Sequence, residues 1–215
     1  MTTWNPADKD ADVTLSGGDL TASISSPSGT KVGSVRGTDF KASGKHYFEI
    51  LYTTTPASAA AVGVCTGSYT LTNQGLGLVA GNTSFSGNGF IAQDGSLGTI
   101  TTGLVNGDYV GVAVDIGNGL CYFSINGTFV DGSDPVGGSG GFTLPAGNMY
   151  PAWGSSEGSH TTTQTANFAG SFHTTPPAGY SAWEAAAAGQ PFRKRMGGVA
   201  WVHGGYRYGS GVKIR

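Results

Sequence analysis

Short runs of β-branched and aromatic residues, each closed by a cluster of Gly, Asn, Asp or Ser, recur along most of this chain and leave no room for a long helix. Glycine supplies 38 of 215 residues, more than twice its usual ~7%, and charged residues only 11% against a usual ~25%. Both features disfavour long helices and coiled coils. Glycine follows no G-x-y period, which excludes collagen, and 10 Phe, 9 Tyr and 4 Trp supply enough apolar surface for a core. The pattern predicts an all-β sandwich of antiparallel strands, with one domain and an appendage.

Candidate strands are Val13 to Leu15, Leu20 to Ser25, His46 to Thr54, Ala60 to Cys65, Gly77 to Ala80, Gly89 to Gln93, Tyr109 to Asp115, Leu120 to Ile125, Thr128 to Val130, Met149 to Trp153 and Thr163 to Phe168. The sharpest local signal is Asn126-Gly127, which suits the positive φ angles of a type I′ hairpin turn. Alternation then directs Cys121, Phe123 and Ile125 inward and Tyr122 and Ser124 outward. Ser181-Ala-Trp-Glu184 spells a capping box before Ala185 to Ala188, with Gly189 as a stop, predicting one short helix tied down by Trp183.

Several motifs, in order, resemble those of the SPRY domain, a concanavalin-like sandwich of two antiparallel sheets used as a partner-binding module. Val13-Thr-Leu-Ser16 with Leu20-Thr21 is similar to its opening strand pair, and Gly44-Lys-His-Tyr47-Phe-Glu49-Ile50 to its Gly-x-x-Tyr-Trp/Phe-Glu-Val signature. Val62-Gly63-Val64 resembles the short strand that follows. The run from Gly107-Asp108 through Gly111 to Asp115, then Leu120 to Phe123 and Ser124-Ile125-Asn126-Gly127, is similar to its central strand and hairpin. Tyr150-Pro151-Ala152, and Ala166-Asn167-Phe168-Ala-Gly170 with Phe172 and Pro176-Pro177-Ala-Gly179-Tyr180, resemble its closing segments; Ala169 stands where the family often has glycine. The resemblance implies a sandwich over residues 13–183, preceded by a lead of residues 1–12 and followed by residues 184–215 as a short helix and basic arm. Tyr47, Glu49, Asp108, Asp115, Phe123, Asn126, Gly127, Asn167 and Phe168 form the fold signature and are expected to hold the fold rather than do chemistry.

No catalytic set is expected. The four histidines are scattered without metal-ligand spacing, and the three glutamates, Glu49, Glu157 and Glu184, each lack the acidic neighbour two residues away that glycoside hydrolysis on one strand uses. Gly137-Gly-Ser139-Gly-Gly141 spells Gly-x-Ser-x-Gly but lacks the strand-to-helix setting of a nucleophile elbow. Asp131-Gly-Ser-Asp134 is too short for an EF-hand and reads as a turn. Cys65 and Cys121 lie far apart with no CxxC and read as reduced buried thiols, a disulfide being the alternative. No cofactor or metal is expected. Instead, loops at the ends of the sandwich (67–73, 81–89, 131–141 and 155–163) are the expected binding surface, with a lectin-like, glycan-binding use of the polar loops and Trp153 as the alternative.

Charge separates the two ends of the chain. Residues 1–189 carry all 13 acidic groups against five basic ones, whereas residues 190–215 carry Arg193, Lys194, Arg195, Arg207, Lys213 and Arg215 and no acid. Trp201, Tyr206 and Tyr208 are interleaved with these cations. Stacking on nucleic acid uses such a mixture, but free nucleic-acid domains have a pI above ~9, against about 6.0 here. The expected role is an assembly arm, Gln190 to Arg215, ordered on a neighbouring subunit, the alternative being a return onto its own acidic body. The arm and the Gly/Thr/Ser-rich body resemble small structural proteins of tailed bacteriophages, which implies a virion decoration protein made in the host cytoplasm and partnered by other virion proteins. Neither a secretory signal nor a membrane span is read in the sequence, the longest small-apolar run being Ala59 to Cys65.

Overall fold

The computed structural model describes residues 1–26, 32–54, 60–77, 79–99, 102–155 and 160–184. In chain order the strands are β1 (Trp4–Lys9), β2 (Thr14–Ser16), β3 (Thr21–Ser26), β4 (Gly33–Gly37), β5 (Lys45–Tyr52), β6 (Ala60–Thr66), β7 (Asn82–Ser86) and β8 (Phe90–Gln93). They continue as β9 (Ser96–Thr99), β10 (Tyr109–Asp115), β11 (Leu120–Ile125), β12 (Thr128–Phe129), β13 (Phe142–Thr143), β14 (Met149–Ser155), β15 (His160–Asn167) and β16 (Ser181–Ala182). They form two sheets, ordered β1-β4-β14-β6-β7-β8-β9 and β12-β11-β10-β5-β15-β3-β2, with β13 beside β11 and β16 beside β5. All pairings are antiparallel except the parallel β16–β5 contact. The expected all-β, two-sheet sandwich is therefore the fold, although the capping box is not used as one. Ser181 sits in β16, its hydroxyl donates to the Lys45 carbonyl (3.2 Å), and the Glu184 N–H goes to the Phe168 carbonyl (2.8 Å). Ala185 to Ala188 lie outside the described residues.

The core follows from alternation. Ile24, Phe48, Ile50, Val110, Val112, Val114, Cys121 and Phe123 of one sheet face Val35, Val62, Val64, Phe85, Ile91 and Trp153 of the other. Phe123 packs on Phe85 and Phe142, with ring centroids 5.8 and 5.9 Å apart. The hairpin forms as expected, with φ of 50° at Asn126 and 86° at Gly127, and Cys121 and Phe123 point inward. Gly63 is required for another reason. A Cβ there would collide with the Thr83 carbonyl of the adjoining β7, so β6 and β7 pair only without it.

The first nine residues are part of the sandwich rather than a lead. β1 is the edge of the seven-stranded sheet, where Pro6 costs no ladder bond, and Trp4 is fully buried edge-on against Phe168 (5.2 Å, 83°). Gly77–Ala80 is a bend rather than a strand in its described residues, because φ is 134° at Gly77 and 94° at Gly81; the strand begins at Asn82. On the outer face of the seven-stranded sheet, Tyr69, Leu71 and Leu76 fold back over Ala61, Cys65 and Ala152 to make a small second core.

The last described turn of chain completes the body. Trp183 is fully buried, edge-on to Phe48 (5.5 Å, 84°), and its ring N–H donates to the Asp39 carbonyl (3.1 Å). Burying an indole of roughly 200 Å² contributes at most about 5 kcal/mol.

Candidate functional site

The outward positions of β5, β10 and β11 include Tyr47, Glu49, Gly111, Tyr122 and Ser124, and residues 171–182 cross over them as a strap. Glu49 is the fastener. Its Oε1 accepts from the Tyr47 hydroxyl (3.0 Å), the Thr174 hydroxyl and the Thr174 N–H (2.9 Å), while Oε2 accepts from the His173 N–H (2.6 Å). Phe172 then meets Tyr47 edge-on (4.9 Å, 88°), and Tyr180 covers Tyr47, Ala113 and Tyr122. Gly111 leaves the space filled by the Tyr47 and Ser124 hydroxyls. Burial drives the Tyr47 phenol upward, so it stays a donor to the carboxylate.

The other signature residues sort by position. Asp108 accepts from the Val105 N–H (2.8 Å) and the Asn126 amide (2.8 Å), and Asn126 Oδ1 accepts from the Tyr109 N–H (3.0 Å), so these residues brace the hairpin against the start of β10. Asp115 binds Lys45 Nζ (2.9 Å) and the Asn118 amide (2.8 Å). Burial opposes ionisation of Asp115, but Lys45 and the two Asn118 donors outweigh it and hold the carboxyl below its usual range. Asn167 ties the start of the strap through its amide to the Ser171 carbonyl (2.7 Å), and Phe168 is in the core. Thus Tyr47, Glu49 and Asn167 converge on the strap, Asp108, Asn126 and Gly127 on one turn, and Phe123 and Phe168 on the core. The arm residues Arg193, Lys194, Arg195, Trp201, Tyr206, Arg207, Tyr208 and Arg215 lie outside the described residues.

The two cysteines are free and buried, Cys65 in the seven-stranded sheet and Cys121 in the nine-stranded one, which places them in separate clusters rather than a disulfide. Burial raises both thiols, Cys65 to about 12 despite the nearby Arg36 guanidinium. Arg36 is held by Asp8 (2.7 and 3.0 Å) and the Thr66 carbonyl (2.6 Å). Ser139 lies in a turn closed by reciprocal bonds with Asp134 (2.9 and 3.0 Å), not at a strand-to-helix elbow. Trp153, the aromatic in the glycan alternative, is fully buried and inaccessible to a ligand. Of the expected binding loops, 67–73 is partly packed through Tyr69 and Leu71, 81–89 is mostly β7, and 131–141 is largely exposed, with Val136 at 58%.

Beside the strap a cleft of about 290 Å³ stays open. Its floor is Glu49, Leu51, Thr165 and Asn167, and its wall is Ser171, Phe172 and His173. Tyr109 and His173 stack at its rim, 3.8 Å apart and 3° from parallel. Sequence reasoning missed this feature, since the two rings are 64 positions apart, Tyr109 stands at a variable position of its motif and His173 belongs to none. Among the described residues no group of three or more His, Cys, Asp or Glu is placed to hold a metal ion, and no helix is long and apolar enough to cross a membrane.

Neither a family model nor a curated protein matches the sequence. Solved structures do match the fold. The SPRY domain of human HERC1 is 14% identical, with a TM-score of 0.58 over 76% of this chain and 96% of that one. The TRIM65 PSpry domain is 15% identical, with a TM-score of 0.57 over 77% of this chain and 91% of that one. Stonustoxin is 20% identical, with a TM-score of 0.54 over 77% of this chain and 27% of that one. The fold reached through the Glu49 strap and the paired sheets is therefore SPRY-like.

Proposed function

We propose that the protein is a non-enzymatic interaction module of a larger assembly, a structural or decoration protein of a tailed-phage virion that docks through residues 190–215. The observation that carries this reading is where the body closes. Trp183 is the last core residue among the described residues, and the two sheets already enclose a core before the cationic residues begin. Docking is then the role that their charge suits, because the preceding 189 residues carry 13 acidic groups against five basic ones. Glu184, the last described residue, lies beside the N-terminus, its carboxylate 3.6 Å from the Met1 amino group. The state of the carboxylates supports a non-catalytic role: Glu49, Asp108 and Asp115 are each occupied by backbone donors, amides or Lys45. Other virion proteins are the partners in this reading, with the exposed 131–141 loop as a second contact.

A chain truncated after Gly189 tests it. The truncated protein should keep its circular dichroism and melting temperature and lose incorporation into particles. Unfolding on truncation, or unchanged incorporation, refutes the anchoring role; absence of the full chain from purified phage particles by mass spectrometry refutes the virion setting.

A further inference from the structure

The strap lies over β5, β10 and β11, and the outer face of the nine-stranded sheet continues beyond it over β15, β3 and β2. On β2, β3 and β15 the outward positions are hydroxyl-bearing without exception from Thr14 to Thr165, while Ala22, Ile24, Thr162, Gln164 and Ala166 take the inward ones. The strand registers align these hydroxyls across the strands. Ser25 lies opposite Thr161, Ser23 lies between Thr14 and Thr163, and Thr21 lies between Ser16 and Thr165. Two contacts fix their orientation, Thr21 to Thr165 (2.9 Å) and Ser25 to Thr161 (3.1 Å). The last row does not stop at β15: Thr165 lies opposite Leu51, and Leu51 opposite Tyr109. One line therefore runs over five strands, from Ser16 through Thr21, Thr165 and Leu51 to the stacked Tyr109–His173 pair, about 19 Å at roughly 4.8 Å per strand.

We propose that this row and the adjoining cleft bind an uncharged polysaccharide laid across the strands. The choice of ligand follows from what the surface offers. Hydroxyls donate and accept at once, which matches a polyhydroxylated chain, and the aromatic pair at the end offers a surface for the C–H face of a sugar ring. Threonine is stiff at χ1 and the rows are already cross-bonded, so little side-chain entropy is lost on binding. A protein partner would need a cluster of aromatic or Arg anchors, and the outward positions of β2, β3 and β15 carry none, the aromatic pair standing only at the far end of one row. Nucleic acid would need cations, and the outward positions of β2, β3 and β15 have no Lys or Arg. Neither the arm nor the virion setting bears on this binding face.

The test is affinity electrophoresis of the full chain through native gels containing dextran, galactomannan, amylose or hydroxyethylcellulose, with hyaluronan as a charged comparison. At least one neutral polymer should retard the protein. Thr165→Lys, which drives a charged stem into the row, and His173→Ala, which removes half of the aromatic pair, should each weaken retardation at least about tenfold, the equivalent of ~1.4 kcal/mol. Val136→Ser, on the distant 131–141 loop, should leave it unchanged. Melting curves check that each variant is folded, and Thr21→Ala, a milder change in the same row, replaces Thr165→Lys if that variant is not. The proposal is overturned by no retardation in any neutral polymer, by retardation in hyaluronan alone, or by folded row and His173 variants that migrate like the parent.

Discussion

Replacing Glu49 by Gln separates a fastening carboxylate from a catalytic one. The carboxylate accepts four hydrogen bonds, three at Oε1 and one at Oε2, and two of the four donors are backbone N–H groups of the strap. A bond to a charged acceptor contributes about 1.5–3 kcal/mol. Glutamine keeps a carbonyl for the Oε1 set, but then its amide N–H₂ faces the His173 N–H, donor against donor. The loss is one charge-assisted bond together with weakening of the other three, about 2–3 kcal/mol. For a body of this size that lowers the melting temperature by roughly 4–12 °C at ~2–4 °C per kcal/mol. Glu49→Ala removes every acceptor, but Ser171 and His173 are exposed and the freed strap can reach water, so the cost is about 3–5 kcal/mol rather than four full bonds. Urea unfolding followed by tryptophan fluorescence measures both, and hydrogen exchange at the His173 and Thr174 amides locates the effect. If Glu49→Gln lies within about 0.5 kcal/mol of the parent, or those two amides keep their protection, the carboxylate does not hold the strap and the structural reading of this signature residue fails.

Three further outcomes follow from the same packing. Gly63→Ala should cost at least about 3 kcal/mol, seen as a melting temperature lower by roughly 6–12 °C, because the new methyl meets backbone of the paired strand rather than a movable side chain. Asp115 has a depressed carboxyl, so its stabilisation is present above the unfolded value and is lost as pH falls through the folded one; stability should decline from about pH 4 downward, and Asp115→Asn should flatten that acid limb in a pH series of urea midpoints. Neither thiol should react with a disulfide reagent in the native protein at pH 8, and both Cys65 and Cys121 should react in guanidinium, since each is buried and its thiol raised; a native-state reaction would contradict the two-sheet placement.

How far the sequence could be read depended on whether a strand's two faces differ in chemistry. β10 and β11 differ strongly: Val110, Val112, Val114, Cys121 and Phe123 are apolar on one parity, and the Asn126-Gly127 turn fixes their register, so both strands and the inward set were legible. β1 and β4 were not. Arg36 and Asp8 look like solvated charge, yet they form a pair whose guanidinium is buried, and only the three-dimensional arrangement reveals that each satisfies the other. The strap was half legible: Trp183 reads as an anchor, but Ser181 and Glu184 also fit a helix cap, and the backbone bonds to β5 and Phe168 prevail over that local option.

The hydroxyl rows were illegible for a more general reason. From Thr161 to Thr165 the sequence is Thr-Thr-Thr-Gln-Thr, polar on both parities, so no alternation of apolar with polar residues indicates which side chains meet the core. Register is imposed from outside, by Ala166 and Phe168 entering the core two and four positions after Gln164, and by Tyr52 standing opposite Gln164 across the ladder. The consequence is energetic as well as descriptive. Thr162 and Gln164 are fully buried, and the Gln164 amide finds no hydrogen-bond partner among the described residues, an arrangement that costs about 1–3 kcal/mol for each unpaired group. A strand selected only for stability would carry Val or Leu at these inward positions and any polar residue at the outward ones. β15 departs from that pattern only at its inward positions, where Thr162 and Gln164 place unpaired polar groups in the core, while threonine, a good strand former, stands at every outward position from 161 to 165.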